Sequence, residues 1–152
     1  MKKLLLILLC VPLIGLGQTK TEVLSKKKVT GVTTGKYGLS CKFERMIDLS
    51  KSDTTHNCFC TFQNREYQHI VDIGIYHMSS KIELDETIKS LKECIKYMDD
   101  KSISYSNGNF EIYDFSKSLY IYDTIDKNHY TFLPKKLVLK WINWLEEIQF
   151  PQ

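Results

Sequence analysis

The chain has 152 residues, of which 43% are hydrophobic and 26% charged, with 21 basic and 18 acidic side chains. This length fits one domain that can bury a core of its own. The near-balance of charge provides no overall attraction to nucleic acid or to anionic lipid, and we expect no nucleic acid as a partner.

The amino-terminal segment has the three parts of a secretory signal. A basic start, Met1–Lys3, precedes the uncharged apolar run Leu4–Leu16, and the small residues Gly15 and Gly17 lie near its end. This layout predicts a cleavable signal peptide over residues 1–17. The mature chain would then be exported to the periplasm or the medium. It would carry 19 basic and 18 acidic residues, because the leader holds two of the lysines.

Two other fates of this segment fit its sequence less well. A membrane anchor needs about 20 consecutive apolar residues, and the run Leu4–Leu16 is shorter. Acylation of Cys10 would need a small residue before it, whereas Leu9 precedes it. We therefore expect no transmembrane anchor after cleavage, and a single α+β domain over residues 18–152.

The first half of the mature chain predicts four strands. Val23–Thr30 could form the first, and apolar alternation predicts a second strand from Leu39 and a third that ends before Asn64–Arg65. Asn64–Arg65 suits a two-residue hairpin turn. The opposite pairs would then be Phe62–Tyr67, Cys60–His69 and Cys58–Val71. Ile73 and Ile75 would continue the buried side of the fourth strand.

A helix is predicted after these strands. Apolar residues recur at helical spacing at Leu84, Ile88, Leu91, Ile95 and Met98, with Cys94 beside them. Ser80 and Glu83 form a capping box that would begin the helix, and Asp85 is an alternative, later cap.

The second half repeats this order of elements. Asn107–Gly108 is the strongest hairpin signal in the chain and would pair Tyr105 with Phe110. Further turns at Ser116–Lys117 and Asp126–Lys127 would give the pairs Ile112–Ile121 and Ile121–Phe132. Pro134 would then occupy the first position of a final helix. The buried stripe of that helix would be Leu137, Trp141, Trp144, Leu145 and Ile148.

The predicted fold class is therefore α+β. It has two successive antiparallel ββββα units, about residues 22–100 and 101–152, with each sheet covered on one face by one helix. This element order resembles the duplicated ββββα architecture of Whirly-like and PUR-type binders of single-stranded nucleic acid. The resemblance implies a related arrangement of sheets and helices. It does not imply that this chain binds nucleic acid, because a shared fold does not imply a shared ligand and because export and near-neutral charge argue against nucleic acid.

Four cysteines remain after the leader. An even number in an oxidising compartment favours disulfides. Cys58 and Cys60 lie on the same side of one strand, too far apart to bond to each other. We therefore expect Cys41 to bond to one of them and Cys94 to the other. Free buried thiols are one alternative. A zinc or copper site formed by Cys41, Cys58, Cys60 and His69 is another.

Aromatic residues form a second candidate site. Tyr113, Tyr120 and Tyr122 fall on the face opposite the predicted core of the second sheet, with Phe115 at its edge. Tyrosines side by side can bind a sugar, a peptide or a protein, because each offers flat apolar area and a hydroxyl group. Tyrosine is also a common residue in strands, which is the alternative explanation.

Sequence evidence for an enzyme is weaker than the evidence for the cysteine and tyrosine sites. The sequence has no H-E-x-x-H, glycine-rich phosphate loop or G-x-S-x-G motif, and it predicts no cofactor. Asp72, His77, Asp123 and His129 could form the acid–base pairs of a small secreted hydrolase, although any chain of this size allows such pairs and surface positions are the usual explanation. An exported binding module is the better prediction. Its partner would be an envelope protein, a peptide or a glycan.

Overall fold

The computed structural model describes residues 19–30, 38–65, 72–100, 103–113 and 116–151. These residues form eight strands and two helices in the order of two ββββα units, which confirms the predicted α+β fold class. Within the described part of the chain, no helix is long and apolar enough to cross a membrane.

The first unit is an antiparallel sheet followed by a helix, with the strands side by side in chain order. Its elements are β1 (Thr19–Thr30), β2 (Gly38–Asp48), β3 (Asp53–Gln63), β4 (Ile73–Met78) and α1 (Lys81–Tyr97). The second unit has the same plan and shorter strands. Its elements are β5 (Tyr105–Asn107), β6 (Phe110–Ile112), β7 (Ser118–Tyr122), β8 (Tyr130–Pro134) and α2 (Lys135–Glu146).

The predicted hairpin at Asn64–Arg65 is wrong. β4 begins further along the chain, and the observed opposite pairs are Phe62–Gly74, Cys60–Tyr76 and Cys58–Met78. Asn64 instead closes a wider loop, because its backbone N–H and side-chain amide donate to the carbonyl and carboxylate oxygens of Asp72, at 2.9 and 2.8 Å. The proposed partners Tyr67, His69 and Val71 lie outside the described residues.

This register also changes which side of β4 is buried. Ile73 and Ile75 are 54% and 37% exposed, whereas Gly74, Tyr76 and Met78 face the core. The ring of Phe62 lies across the neighbouring strand at Gly74, where an added Cβ would be 2.3 Å from Cε2 of that ring. Only glycine leaves room for the ring at this position.

Helix α1 matches its sequence pattern. The hydroxyl of Ser80 accepts a hydrogen bond from the backbone N–H of Glu83 at 3.2 Å, which confirms Ser80 as the cap. The carboxylate of Glu83 in turn accepts the backbone N–H of Ser79 at 2.6 Å. Leu84, Leu91, Cys94 and Met98 are buried and Ile88 and Ile95 pack against them.

Two predicted registers in the second sheet are wrong by two residues. Gly108 has a φ of 64°, but the turn consists of Gly108 and Asn109. The observed pairs are Asn107–Phe110, Tyr105–Ile112 and, across the next hairpin, Phe110–Ile121. A two-residue shift leaves every side chain on its predicted face, because side chains alternate with a period of two.

The third register, between β7 and β8, is wrong by one residue, and this error does change the face. Ile121 lies opposite Thr131 and Tyr120 lies opposite Phe132. Thr131 and Leu133 are therefore buried, and Phe132 lies on the outer face instead of in the core. Pro134 ends β8 and is the N-cap residue of α2, so it precedes the first helical position.

One hydrophobic core contains residues of both units. Helix α1 packs against β4 and also against β5 and β6, while α2 packs against β1, β7, β8 and α1. Trp141 of α2 is fully buried and meets the ring of Tyr76 edge-on, with centroids 5.7 Å apart. Each helix therefore contacts both sheets.

Candidate functional site

The predicted tyrosines do lie together, on the side of the second sheet that faces away from the core. Alternation along β7 and β8 buries Leu119, Ile121 and Leu133 on the other side. We call the outward-facing rings the tyrosine face: Tyr113, Tyr120, Tyr122, Tyr130 and Phe132, all half-buried. Tyr130 and Phe132 were missed because the predicted β7–β8 register was shifted. The predicted edge residue Phe115 lies outside the described residues.

The rings of the tyrosine face form one continuous aromatic surface. Tyr113 and Tyr120 meet edge to face, with centroids 4.8 Å apart. Tyr120 also lies 5.6 Å from Phe132 and 6.0 Å from Tyr130, and Tyr122 lies 5.9 Å from Tyr130. These separations are those at which aromatic rings attract one another beyond simple burial of area.

A single carboxylate, that of Glu111 on β6, is bonded into this surface. Its Oε2 atom accepts hydrogen bonds from the hydroxyls of Tyr113 and Tyr122, at 2.6 and 2.8 Å. Burial, followed by the bonds to Tyr113 and Glu111, raises the pKa of Tyr122, and the bond to Glu111 raises the pKa of Tyr113. Both phenols therefore remain protonated donors. The sequence hint was a charged residue between two core positions, Phe110 and Ile112.

A cation of the chain itself contacts the far end of the tyrosine face. The guanidinium carbon of Arg65 lies 5.5 Å from the centroid of the Phe132 ring. The backbone N–H of Arg65 donates to the carbonyl of Tyr130 at 3.0 Å, which fixes the end of β3 beside β8. Glu111 lies on β6, two strands away from Phe132 on β8.

A groove of about 390 Å³ opens beside Glu111. It is lined by Ser104, Tyr105, Ser106, Glu111, Ile112 and Tyr113. Among the described residues, the second carboxylate oxygen of Glu111, Oε1, has no hydrogen-bond or ion-pair partner. The groove therefore offers an acceptor next to the aromatic surface.

The cysteines form one of the two expected bridges. Cys41 lies directly opposite Cys60 on the neighbouring strand and is bonded to it. The expected bridge to Cys94 is wrong, since Cys58 and Cys94 are free, buried thiols. Burial raises the pKa of each of these thiols to about 12. The position opposite Cys58 on β2 is occupied by Phe43.

The alternative metal site loses two of its four proposed ligands. Cys41 and Cys60 are bonded to each other and so have no thiolate to offer a metal. His69, the fourth proposed ligand, lies outside the described residues. In the part of the chain that the structure describes, no group of three or more His, Cys, Asp or Glu side chains is placed to hold a metal ion.

Three of the four acid–base candidates meet at the junction of the two units. Nε2 of His129 lies 3.3 Å from the carboxylate of Asp72, and Nδ1 lies 3.8 Å from that of Asp123. The carboxylate of Asp126 is the third in this group, 3.8 Å from Nε2 of His129. His77 does not join this group, because its Nε2 is 3.1 Å from the amide oxygen of Asn57.

The buried member of this group has a structural role. The two carboxylate oxygens of Asp123 accept backbone N–H groups of Ile75 and Ile125 at 2.6 Å each, and of Asp126 at 3.2 Å. Since Ile75 is on β4, this carboxylate links the two sheets. Its oxygens are occupied by the backbone, which leaves them poorly placed to move protons for a substrate.

A cleft of about 520 Å³ lies where the two units meet, between α1, the end of β4 and the β5–β6 turn. Its buried polar groups are Tyr76 and Thr87, whose hydroxyl oxygens are 3.1 Å apart. Burial raises the pKa of Tyr76. Because residues of both units line this cleft, no local sequence pattern predicted it.

Comparison with protein-family models, with curated proteins and with solved structures gave no match for this chain.

Proposed function

We propose that the chain is the precursor of an exported binding protein that contacts its partner through the tyrosine face. The observation that carries this proposal is the continuous surface of five half-buried rings on the outward side of the second sheet. Four of these rings are tyrosines, which combine apolar contact area with hydroxyl groups and lose little conformational freedom on binding. An envelope protein, a peptide or a glycan would suit this surface.

Two features support export. The segment 1–17 has the layout of a cleavable leader. The bond between Cys41 and Cys60 is of a kind that persists in oxidising compartments and is uncommon in the cytosol, where thiols are kept reduced. The periplasm or the medium of a bacterium would provide such an environment.

A paired capture experiment tests the role of the tyrosine face. Mature protein and its Tyr120→Ala/Tyr122→Ala variant are immobilised and exposed to envelope extract without reductant. We expect both to melt at similar temperatures, because these rings are only half-buried, and only the wild type to retain its partner. Phe59→Ala is the control, since Phe59 is a half-buried ring on the outer face of the first sheet.

Two results would reject the proposal. If the double variant does not fold, the rings belong to the structural core and not to a contact surface. If it folds and captures the same partner as the wild type, the partner binds elsewhere.

A further inference from the structure

We propose that the tyrosine face recognises an arginine side chain of a partner peptide, with Glu111 as the residue that binds its guanidinium group. This inference rests on the proposed binding function and names the chemistry of the ligand. It follows from the charge of the face, from a cation that the chain already places on it, and from the size of the adjoining groove.

The charge of the face is provided by Glu111. Its Oε2 takes two phenol donors, Tyr113 and Tyr122, while Oε1 has no partner among the described residues. No cationic side chain in the described part of the chain pairs with this carboxylate. A half-buried carboxylate without a counter-ion is best satisfied by a cation that also donates N–H groups.

The rings beside Glu111 favour a planar cation. Aromatic faces attract cations, and a guanidinium group can lie flat on a ring while its N–H groups donate sideways. The chain's own Arg65 places its guanidinium carbon 5.5 Å from the centroid of the Phe132 ring, at the other end of the face. A quaternary ammonium group lacks the N–H donor that Oε1 requires, and a lysine ammonium is more strongly hydrated and does not stack.

The groove limits the size of the ligand. Its volume of about 390 Å³ is at the small end of the range for ligand sites. Ser106 and Glu111 are directly opposite each other on β5 and β6, so the carboxylate lies along the wall of the groove. Such a groove has room for one long side chain of a peptide, with its guanidinium group at Glu111 and its flanking backbone on the surface.

Nuclear magnetic resonance titration of the mature protein tests this inference. The probes are acetyl-Gly-Gly-Arg-Gly-Gly-amide and the same peptide with citrulline, the neutral isostere of arginine. We expect the arginine peptide to shift the ring resonances of Tyr113 and Tyr122, and the citrulline peptide to leave them unchanged. Glu111→Gln should weaken arginine binding by about tenfold, because a charged hydrogen bond is lost. Agmatine, a small guanidinium compound, is the third probe.

The outcomes separate this inference from the proposed function. Equal binding of the citrulline peptide would overturn guanidinium recognition, and this comparison uses only wild-type protein, so it holds even if Glu111→Gln does not fold. Unchanged affinity of a folded Glu111→Gln variant would overturn the role of Glu111. Binding of agmatine without binding of the peptide would show that the ligand is a free guanidinium compound, and would overturn recognition of a peptide. In each case, loss of partner capture by the Tyr120→Ala/Tyr122→Ala variant would still support the tyrosine face.

Discussion

Asp123 connects the two units through both of its carboxylate oxygens. It is 4% exposed, and it accepts backbone N–H groups from β4 and from the loop that follows β7. Buried acceptors of this kind matter because each N–H group that loses its partner away from water costs free energy. The residue therefore stabilises the fold at the point where the sheets meet.

Replacing Asp123 by asparagine should destabilise the protein. The amide nitrogen cannot accept a hydrogen bond, so one backbone N–H group loses its bond to a charged acceptor, at a cost of about 1–3 kcal/mol in the free energy of unfolding. Asp85→Asn is the control, since Asp85 is an exposed helix residue whose pair with Lys81 should contribute less than about 0.5 kcal/mol. Urea unfolding, followed by circular dichroism, measures the free energy of unfolding of the two variants. Equal midpoints for the two variants would contradict the structural role of Asp123.

Residue type alone did not separate chemistry from structure at these positions. Asp72, Asp123 and His129 do meet, as acid–base pairs would, yet the carboxylate of Asp123 is taken up by backbone groups. Glu111 was not singled out in the sequence, because one charged residue in a strand is typical of a solvated position. Its significance depends on Tyr113 and Tyr122, which tertiary structure brings to it.

Helix α2 is the element whose sequence pattern is clearest. All five residues of its predicted stripe are buried, with Trp141 and Leu145 at 0% exposure. Trp141 packs edge-on against Tyr76 of the first unit and Phe110 of the second. This helix therefore stabilises both sheets at once.

Truncation of Trp141 should be strongly destabilising. Trp141→Ala removes a fully buried ring, and we expect the free energy of unfolding to fall by about 3–5 kcal/mol. Leu139→Ala on the same helix is the matched control, because Leu139 is 44% exposed and its truncation should cost much less. Thermal melting compares the two. A wild-type-like melt of Trp141→Ala would show that α2 packs differently.

Strand pairing was harder to predict than the strands themselves. Alternation located β2 and β3 and the buried sides of β6 and β7, because burial of one face imposes a period of two. The registers depend on the turns, and the local sequence pattern placed these turns wrongly. Asn64 bonds to Asp72 across a wide loop, and Gly108 takes the positive φ at the first position of its turn instead of the second.

At the scale of the whole molecule, the two units share one core. Each helix contacts both sheets, and strand β4 bonds to the loop after β7 through Ile75 and Thr124. The order of elements was readable from the sequence because each element carries its own periodicity. The cleft between the units and the junction around His129 were not, since they arise only when the units pack together.

Export is the claim on which the proposed function depends most. An exported chain should have lost residues 1–17 and should contain the single bridge between Cys41 and Cys60. Its remaining two thiols, Cys58 and Cys94, should be unreactive while the protein is folded, because burial raises the pKa of each to about 12 and the thiolate is the reactive form.

The full-length chain, expressed in a Gram-negative host and recovered without reductant from the envelope or the medium, allows the most direct test. Its intact mass is measured after treatment with iodoacetamide, once folded and once unfolded. We predict the mass of residues 18–152 less two hydrogens, with no label on the folded protein and two labels on the unfolded protein. A chain that still carries Met1 and takes up five labels when unfolded would contradict export and the disulfide together.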